Sequence, residues 1–294
     1  MQRRDGLVLL DKPAGITSFQ ALTSVKRKLG TRKVGHTGTL DKFAEGLLIV
    51  LTGSLTRMVS YFLDLEKEYI AVLRLGIETD TLDPEGSIVK RCDVPELERI
   101  EQSMEFFRGE ILQVPPEYSA IHVKGERAYK MARRGLPLSM PARRVCVHSF
   151  EVLSYDAPEL TVRIRCSKGT YVRAIGRDLG REAGSCASLT ALKRLGLGRF
   201  RIDDAVAPSE FDPATDLVKP IDFIDKICGL GIAKIKADAL SRVRYGGRLE
   251  DEAFENPPAA DGDFALFSAE NELLAITRRE AGAYSYVSVY ADSA

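Results

Sequence analysis

Between Val34 and Leu51 the chain sets an ionisable loop directly against an apolar run, and any fold it adopts has to accommodate both. Val34-Gly35-His36-Thr37-Gly38-Thr39-Leu40-Asp41 reads as a loop, because glycine and threonine in alternation are poor company for a continuous helix or strand. Gly46 to Leu51 is nearly all apolar and reads as a buried segment. Asp41 is therefore held on a loop beside a hydrophobic core. A carboxylate so placed is costly to ionise unless paired, and an arginine, charged at any working pH, is the cheapest partner. Such a pair would keep Asp41 ionised and nucleophilic.

The flanking sequence supplies strands and helices. Residues 6–11 suit a short strand that Lys12-Pro13-Ala14-Gly15 breaks. Thr17-Ser18-Phe19-Gln20 fits a capping box, and Phe19, Leu22, Val25 and Leu29 form a helical stripe ending at Gly30, with Lys26, Arg27 and Lys28 at the basic end. Tyr69, Ala71, Leu73 and Leu75 share one face of a strand, Asp83-Pro84-Glu85-Gly86 turns, and Ile88-Val89 starts a return strand, which predicts a hairpin. A helix is expected over Pro95 to Arg108, then an extended connection at Pro115-Pro116. Residues 122–145 read as a mobile basic insertion with a weak helical stripe around Tyr129, Met131 and Ala132. Leu160, Val162, Ile164 and Cys166 alternate with Thr161, Arg163, Arg165 and Ser167, a half-buried strand with a cationic outer face; Tyr171 to Ala183 looks helical. After a composition shift near Pro220 to Leu230, brief strands at 264–267, 273–277 and 284–290 read as a small β-rich second domain.

Charge is segregated along the 294 residues although the formal net charge is zero. Residues 1–60 hold 10 Lys/Arg against 4 Asp/Glu and residues 122–200 hold 16 against 6, so the rest is acidic. Two basic stretches in an otherwise acidic chain suggest one folded basic face, the footprint of a polyanion partner. Cys92, Cys146, Cys166, Cys186 and Cys228 are widely spaced with only three histidines in the chain, so buried or idle thiols in a reducing compartment are expected rather than zinc or disulfides. No apolar run approaches the ~20 residues of a membrane helix. The expectation is a soluble, cytoplasmic protein that does not engage a membrane.

No GxGxxG opens a helix after a strand, and GxxxxGK[ST], HExxH and GxSxG are missing from the sequence. On the residues alone, alternatives remain at each candidate position. Asp41 could cap the segment that follows it, His36 could bond to backbone, Tyr69 could be core, and Tyr171 could be packing. That level of reading ends at a polyanion-binding enzyme or binding protein.

Five strings in order then resemble the TruB family of tRNA pseudouridine synthases, which isomerise the T-loop uridine at tRNA position 55. Leu10-Asp11-Lys12-Pro13-Ala14-Gly15-Ile16-Thr17-Ser18 resembles the family's first motif, Gly35 to Asp41 its catalytic loop, and Lys67-Glu68-Tyr69 the strand carrying its active-site tyrosine. Gln113 to Ala120, followed by Gly125-Glu126-Arg127-Ala128-Tyr129, resembles the lead-in to an RNA-clasping insertion, and Lys168-Gly169-Thr170-Tyr171-Val172-Arg173 its arginine motif. The chain departs from the pattern at Lys42, Glu45 and His122, where proline, a small or hydroxyl residue and lysine are usual.

The resemblance implies an α+β fold: a mixed, mainly antiparallel sheet of pseudouridine synthase type over residues 1–230, with a small PUA-like β-barrel over 231–294. It implies catalysis by Asp41 with Tyr69 and Arg173, Arg173 pairing with Asp41 and Tyr69 stacking on a flipped uracil. His36 would fill the space the base leaves, Tyr171 and Leu192 would wall the pocket, and Lys12, Arg143, Arg144 and Lys168 would contact RNA. The implied partner is the T-arm of tRNA, met by a monomer with no obligatory protein partner. The implied chemistry calls for no cofactor or metal. A tRNA-folding role on the same basic face, a guide-dependent synthase, and glycosidic hydrolysis by two carboxylates are the rivals.

Overall fold

A computed structural model describes residues 5–290 except 124, 136, 137 and 228, which places the thiol expected at Cys228 outside the described residues. The strands of the first third are β1 (Gly6–Lys12), β2 (Val34–His36), β3 (Glu45–Thr52), β4 (Lys67–Leu75), β5 (Ile77–Thr79) and β6 (Ile88–Arg91), with helices α1 (Ser18–Leu29) and α2 (Val59–Leu63) among them. Helix α3 (Leu97–Met104), β7 (Gly109–Gln113), β8 (His122–Val123), β9 (Glu126–Arg127), α4 (Ala128–Arg133), β10 (Arg143–Asp156) and β11 (Glu159–Cys166) follow. Next come α5 (Val172–Glu182), β12 (Ala187–Leu197) and β13 (Phe200–Arg201). The tail holds β14 (Leu230–Lys234), α6 (Leu240–Arg244), β15 (Gly262–Phe267), β16 (Leu273–Glu280) and β17 (Ala283–Val289).

One mixed sheet runs β1-β3-β12-β4-β11-β10-β7, with β2 on β3 and β13 on β12. Its pairs are antiparallel except β12 on β3. The capping box at Thr17 forms as read: Gln20 N–H donates to Thr17 Oγ1 at 3.2 Å, and Thr17 N–H donates to Gln20 Oε1 at 2.8 Å. Alternation along β4 and β11 likewise holds, so Tyr69, Ala71, Leu73, Leu160, Val162 and Ile164 bury one face together with α5. Fully burying each such aliphatic side chain contributes about 1.5–3 kcal/mol relative to exposure.

Several expectations change. The hairpin is β5–β6, a separate two-stranded ribbon, while β4 pairs with β11 and β12. Within the expected insertion, His122–Val123 and Glu126–Arg127 pair as the β8–β9 ribbon, Ala128–Arg133 form α4, and Arg143 to Val145 belong to β10. Residues 34–36 are a strand rather than loop, since β2 pairs with β3 from Val34↔Thr52 to His36↔Val50. Cys92 and Cys186 are joined as a disulfide with Cα atoms 5.9 Å apart, against the expectation of thiols, whereas Cys146 and Cys166 are free. Their separation of 94 residues hid the pairing from any reading of local spacing.

The tail strands fall where expected, but among the described residues they make an open sheet, β14-β15-β16-β17, and not a closed barrel. One core continues across residue 230: Leu9, Ile49, Phe62 and Phe223 pack in the same cluster as Ala265, Phe267 and Ile276. The tail sheet is thereby covered by neighbouring layers instead of curling onto itself; Val243, Leu249 and Phe254 pack in its other cluster.

Candidate active site

The first motif and the Asp41 loop are stitched together by hydrogen bonds. Leu40 N–H donates to Ser18 Oγ at 2.9 Å, Ser18 Oγ–H donates to Leu40 O at 3.0 Å, and Gly15 N–H donates to Lys42 O at 2.8 Å. Lys12 is fully buried, and its ammonium donates to Pro13 O and Ile16 O at 2.9 and 2.8 Å. Through these two bonds Lys12 holds the turn that supports the loop. Asp41 does not cap a helix, because the segment after it is β3 and its carboxylate is engaged elsewhere.

That engagement is with Arg173, near the start of α5. Nε of Arg173 lies 3.0 Å from Asp41 Oδ2, an ion-pair contact whose N–H is not aimed along the bond, and Nη2 donates to Oδ1 at 3.3 Å. The other side of the guanidinium meets a second carboxylate, which in the sequence is only part of a turn. Nη1 donates to Asp83 Oδ2 at 3.1 Å and to Thr81 O at 2.9 Å, and Nη2 also reaches Tyr118 O at 3.1 Å. Asp83 is itself fixed by Thr81 Oγ1 at 2.6 Å and Glu85 N at 3.0 Å. A cation in the first turn of a helix opposes the macrodipole by roughly 0.3–1 kcal/mol, and here two carboxylates offset it.

Asp41 keeps 39% of its side-chain surface open to solvent, yet enough protein surrounds it that burial pushes its carboxyl above the ordinary range. Arg173 opposes that rise, and the negative charges of Asp83 and Glu85 add to it. The expectation that one arginine simply keeps Asp41 ionised becomes a balance of two carboxylates around one guanidinium.

Tyr69 is buried on β4, directly opposite Arg194 of β12 in the strand register. Cross-strand partners share a face, which is why the Arg194 guanidinium faces the phenol. Burial raises the Tyr69 pKa and Arg194 pulls against it. Arg194 is 2% exposed; its Nε donates to Leu47 O at 2.7 Å and its Nη2 to Gly38 O at 3.3 Å. It thus ties β3, the Asp41 loop and Tyr69 together, a role missed in the sequence although it stands two residues beyond Leu192 on the same buried face. His36 is half-buried with an unpartnered Nδ1, and burial followed by Arg194 lowers its pKa, so the ring is neutral near pH 7. Leu192 packs with Leu40, Ala44 and Tyr69.

Tyr171 precedes α5, and buried Gln113 grips its backbone on both sides: Tyr171 N–H donates to Oε1 at 2.8 Å and Nε2 donates to Tyr171 O at 3.1 Å. The Arg143 charge acts on the Tyr171 ring, whose pKa burial raises. Arg144 is exposed, 4.0 Å from Glu110. On the outer face of β11, Arg163 pairs with Glu68 at 2.8 Å and Arg165 with Glu66 at 3.0 Å, and beyond the strand Lys168 pairs with Asp64 at 2.7 Å. A cavity of about 570 Å³ near Lys28, Ser54, Leu217 and Tyr290 shares no residue with this site.

The model of the TruB family pseudouridylate synthase N-terminal domain matches residues 26–172, the span that carries Asp41, Tyr69 and Tyr171. The chain belongs to this family. TruB relatives extend the match over nearly the whole sequence: "tRNA pseudouridine synthase B" of Borreliella afzelii is 39% identical, covering 97% of this chain and 99% of the relative. The protein of the same name from Clostridium kluyveri is 35% identical over 92% and 94% of the two chains. The fold is shared with a chain of a Cbf5-Nop10-Gar1 complex, at 25% identity and a TM-score of 0.72, covering 98% of this chain and 85% of the other.

Proposed function

We propose that this protein isomerises uridine to pseudouridine in tRNA, at position 55 of the T-loop, with Asp41 as nucleophile. The observation that carries the reading is the Asp41 carboxylate, partly open to solvent, gripped by Arg173 and near enough to Tyr69 for its charge to act on the phenol. A carboxylate adding to ribose C1′ or uracil C6 divides one difficult step into easier ones. In the C1′ case an ester forms as the N-glycosidic bond breaks with its electron pair on the uracil. The base turns, C5 displaces the carboxylate from C1′, C5 loses its proton and N1 gains one. No electrons are gained or lost overall, so the reaction calls for no redox cofactor.

Extruding a base from its stack costs a few kcal/mol, which Tyr69 as a stacking face, His36 as a wedge, and Tyr171 and Leu192 as walls would offset. The enzyme acts alone in the cytoplasm, its own basic insertion at about 122–145 clasping the RNA, with no obligatory protein partner. Glycosidic hydrolysis is disfavoured by a specific feature. It needs a second carboxyl group free to give a proton; of the two carboxylates whose charge acts on Asp41, Asp83 is buried and occupied by Arg173, Thr81 and the Glu85 amide, and Glu85 is paired with Lys42. Mapping the product of the purified chain on a bare T-arm stem-loop tests the proposal: pseudouridine at the T-loop uridine supports it, while free uracil, or no product without a further protein, overturns it.

A further inference from the structure

Cations near the site divide into those already committed to protein partners and those that are not. The β11 arginines and Lys168 are paired with Glu68, Glu66 and Asp64, and Arg134 is paired with Glu126. Lys12 is buried on carbonyl oxygens. Lys28, in the last turn of α1, donates to Ser209 O and Phe211 O, on a segment that also carries Glu210, Asp212 and Asp216.

Arg27, Arg32 and Lys33 differ. All three are exposed, and among the described residues none has a carboxylate or carbonyl partner for its side chain. Lys26 beside them lies over the ring of Phe19, 4.1 Å from its centroid, and that ring is itself 68% exposed. From Lys12 to Leu40 the chain contains no Asp or Glu, so no nearby acid in sequence neutralises the group. Cations in a last helical turn can serve the macrodipole, which would explain Lys26 and Arg27. It does not explain Arg32 and Lys33, which lie beyond the left-handed Gly30 that ends α1.

Backbone hydrogen bonds fix where these side chains stand. Thr31 N–H closes onto Lys26 O at 3.2 Å, and Gly53 N–H donates to Lys33 O at 2.7 Å, so the link from α1 to β2 is held at both ends. His36 is three residues beyond Lys33 on β2, about 10 Å along an extended strand. A polyanion bound beside His36 has this group within about that distance along the chain.

We propose that Lys26, Arg27, Arg32 and Lys33 form the surface that binds phosphates of the RNA strand flanking the target nucleotide, resting on the reading of Asp41 and His36 as an RNA-modifying site. The unpaired cations, rather than the paired Arg163 and Arg165 of β11, supply the counterion-release part of binding.

The test is the salt dependence of binding to a T-arm stem-loop, by fluorescence anisotropy between 50 and 200 mM KCl, for the wild type and the double variant Arg32→Gln/Lys33→Gln. Each phosphate that the variant no longer neutralises lowers the slope of log K against log salt by about 0.7–0.9, so the variant should surrender roughly tenfold less affinity than wild type over that range. Its single-turnover rate at saturating enzyme should stay within about twofold, because these residues touch no reacting atom. A slope equal to wild type in an active enzyme overturns the patch and leaves the activity standing. A reduced slope with no pseudouridine formed by either protein supports the patch and overturns the activity.

Discussion

Replacing Arg173 by lysine keeps the charge and removes the geometry. In the wild type one planar group serves Asp41, Asp83, Thr81 O and Tyr118 O at distances from 2.9 to 3.3 Å. An ammonium has three donors on a single atom and cannot span two carboxylates lying on different sides of a guanidinium. At least one carboxylate and one carbonyl therefore lose their partner, and Asp83, with 7% of its side chain exposed, has little water to replace it. Losing a charge-assisted hydrogen bond costs about 1.5–3 kcal/mol and breaking a buried pair about 3–5 kcal/mol. Because the charge is kept, the lower part of that range applies: about 3 kcal/mol, or a melting temperature lower by roughly 6–12 °C. If the same misplacement reaches the transition state, the single-turnover rate falls by about two orders of magnitude. Calorimetry and tritium release from C5-labelled uridine in T-arm RNA read the two effects. A variant that melts within 2 °C of wild type and retains its rate would refute the two-carboxylate account of Arg173, with ~1 kcal/mol as the largest loss such a shift allows.

Further predictions rest on the same geometry. As the proposed nucleophile Asp41 would have to lose its proton to attack, and its folded-state pKa lies above the ordinary value, so activity should fall as pH drops through that raised value; Arg173→Lys should move this acid limb to higher pH and Asp83→Asn to lower pH, and movement in the same direction would contradict the balance. Gly46 has φ +104°, and a Cβ there would stand 2.4 Å from Arg194 O where β3 meets β12, so Gly46→Ala should lower stability by about 3 kcal/mol or more in urea titration. An unchanged midpoint would mean that β3 and β12 can separate. Lys12→Met should reduce thermal stability while leaving the salt slope of RNA binding unaltered, because the ammonium is spent on Pro13 O and Ile16 O; a slope lower by about one would return Lys12 to the RNA surface.

Local pattern made much of this molecule legible. Thr17 with Gln20, the alternation of β4 and β11, and the apolar run of β3 appear in the fold because each is decided by neighbours in sequence. The pairing of Asp41 with Arg173, given by resemblance, spans 132 residues and has no local signature. Asp83 looked like one residue of an Asp-Pro-Glu-Gly turn, and only the fold brings that turn under α5. Arg163 and Arg165 looked free because their acids, Glu68 and Glu66, come from the far earlier β4 region. Charge counted along a strand does not see the strand beside it. The open tail sheet was likewise hidden, since closure depends on what covers a sheet and the covering core comes from β1, β3 and α2.

The central claim is that the Asp41 carboxylate performs the reaction. Asp41→Asn preserves size and can still accept from Arg173, so binding and folding should persist while the nucleophile is gone. A single-turnover assay of pseudouridine formation in T-arm RNA, with enzyme in excess, should then show the wild type converting the T-loop uridine and the variant slowed at least about a thousandfold, a barrier increase of roughly 4 kcal/mol. Pseudouridine formed by Asp41→Asn at the wild-type rate would contradict the account.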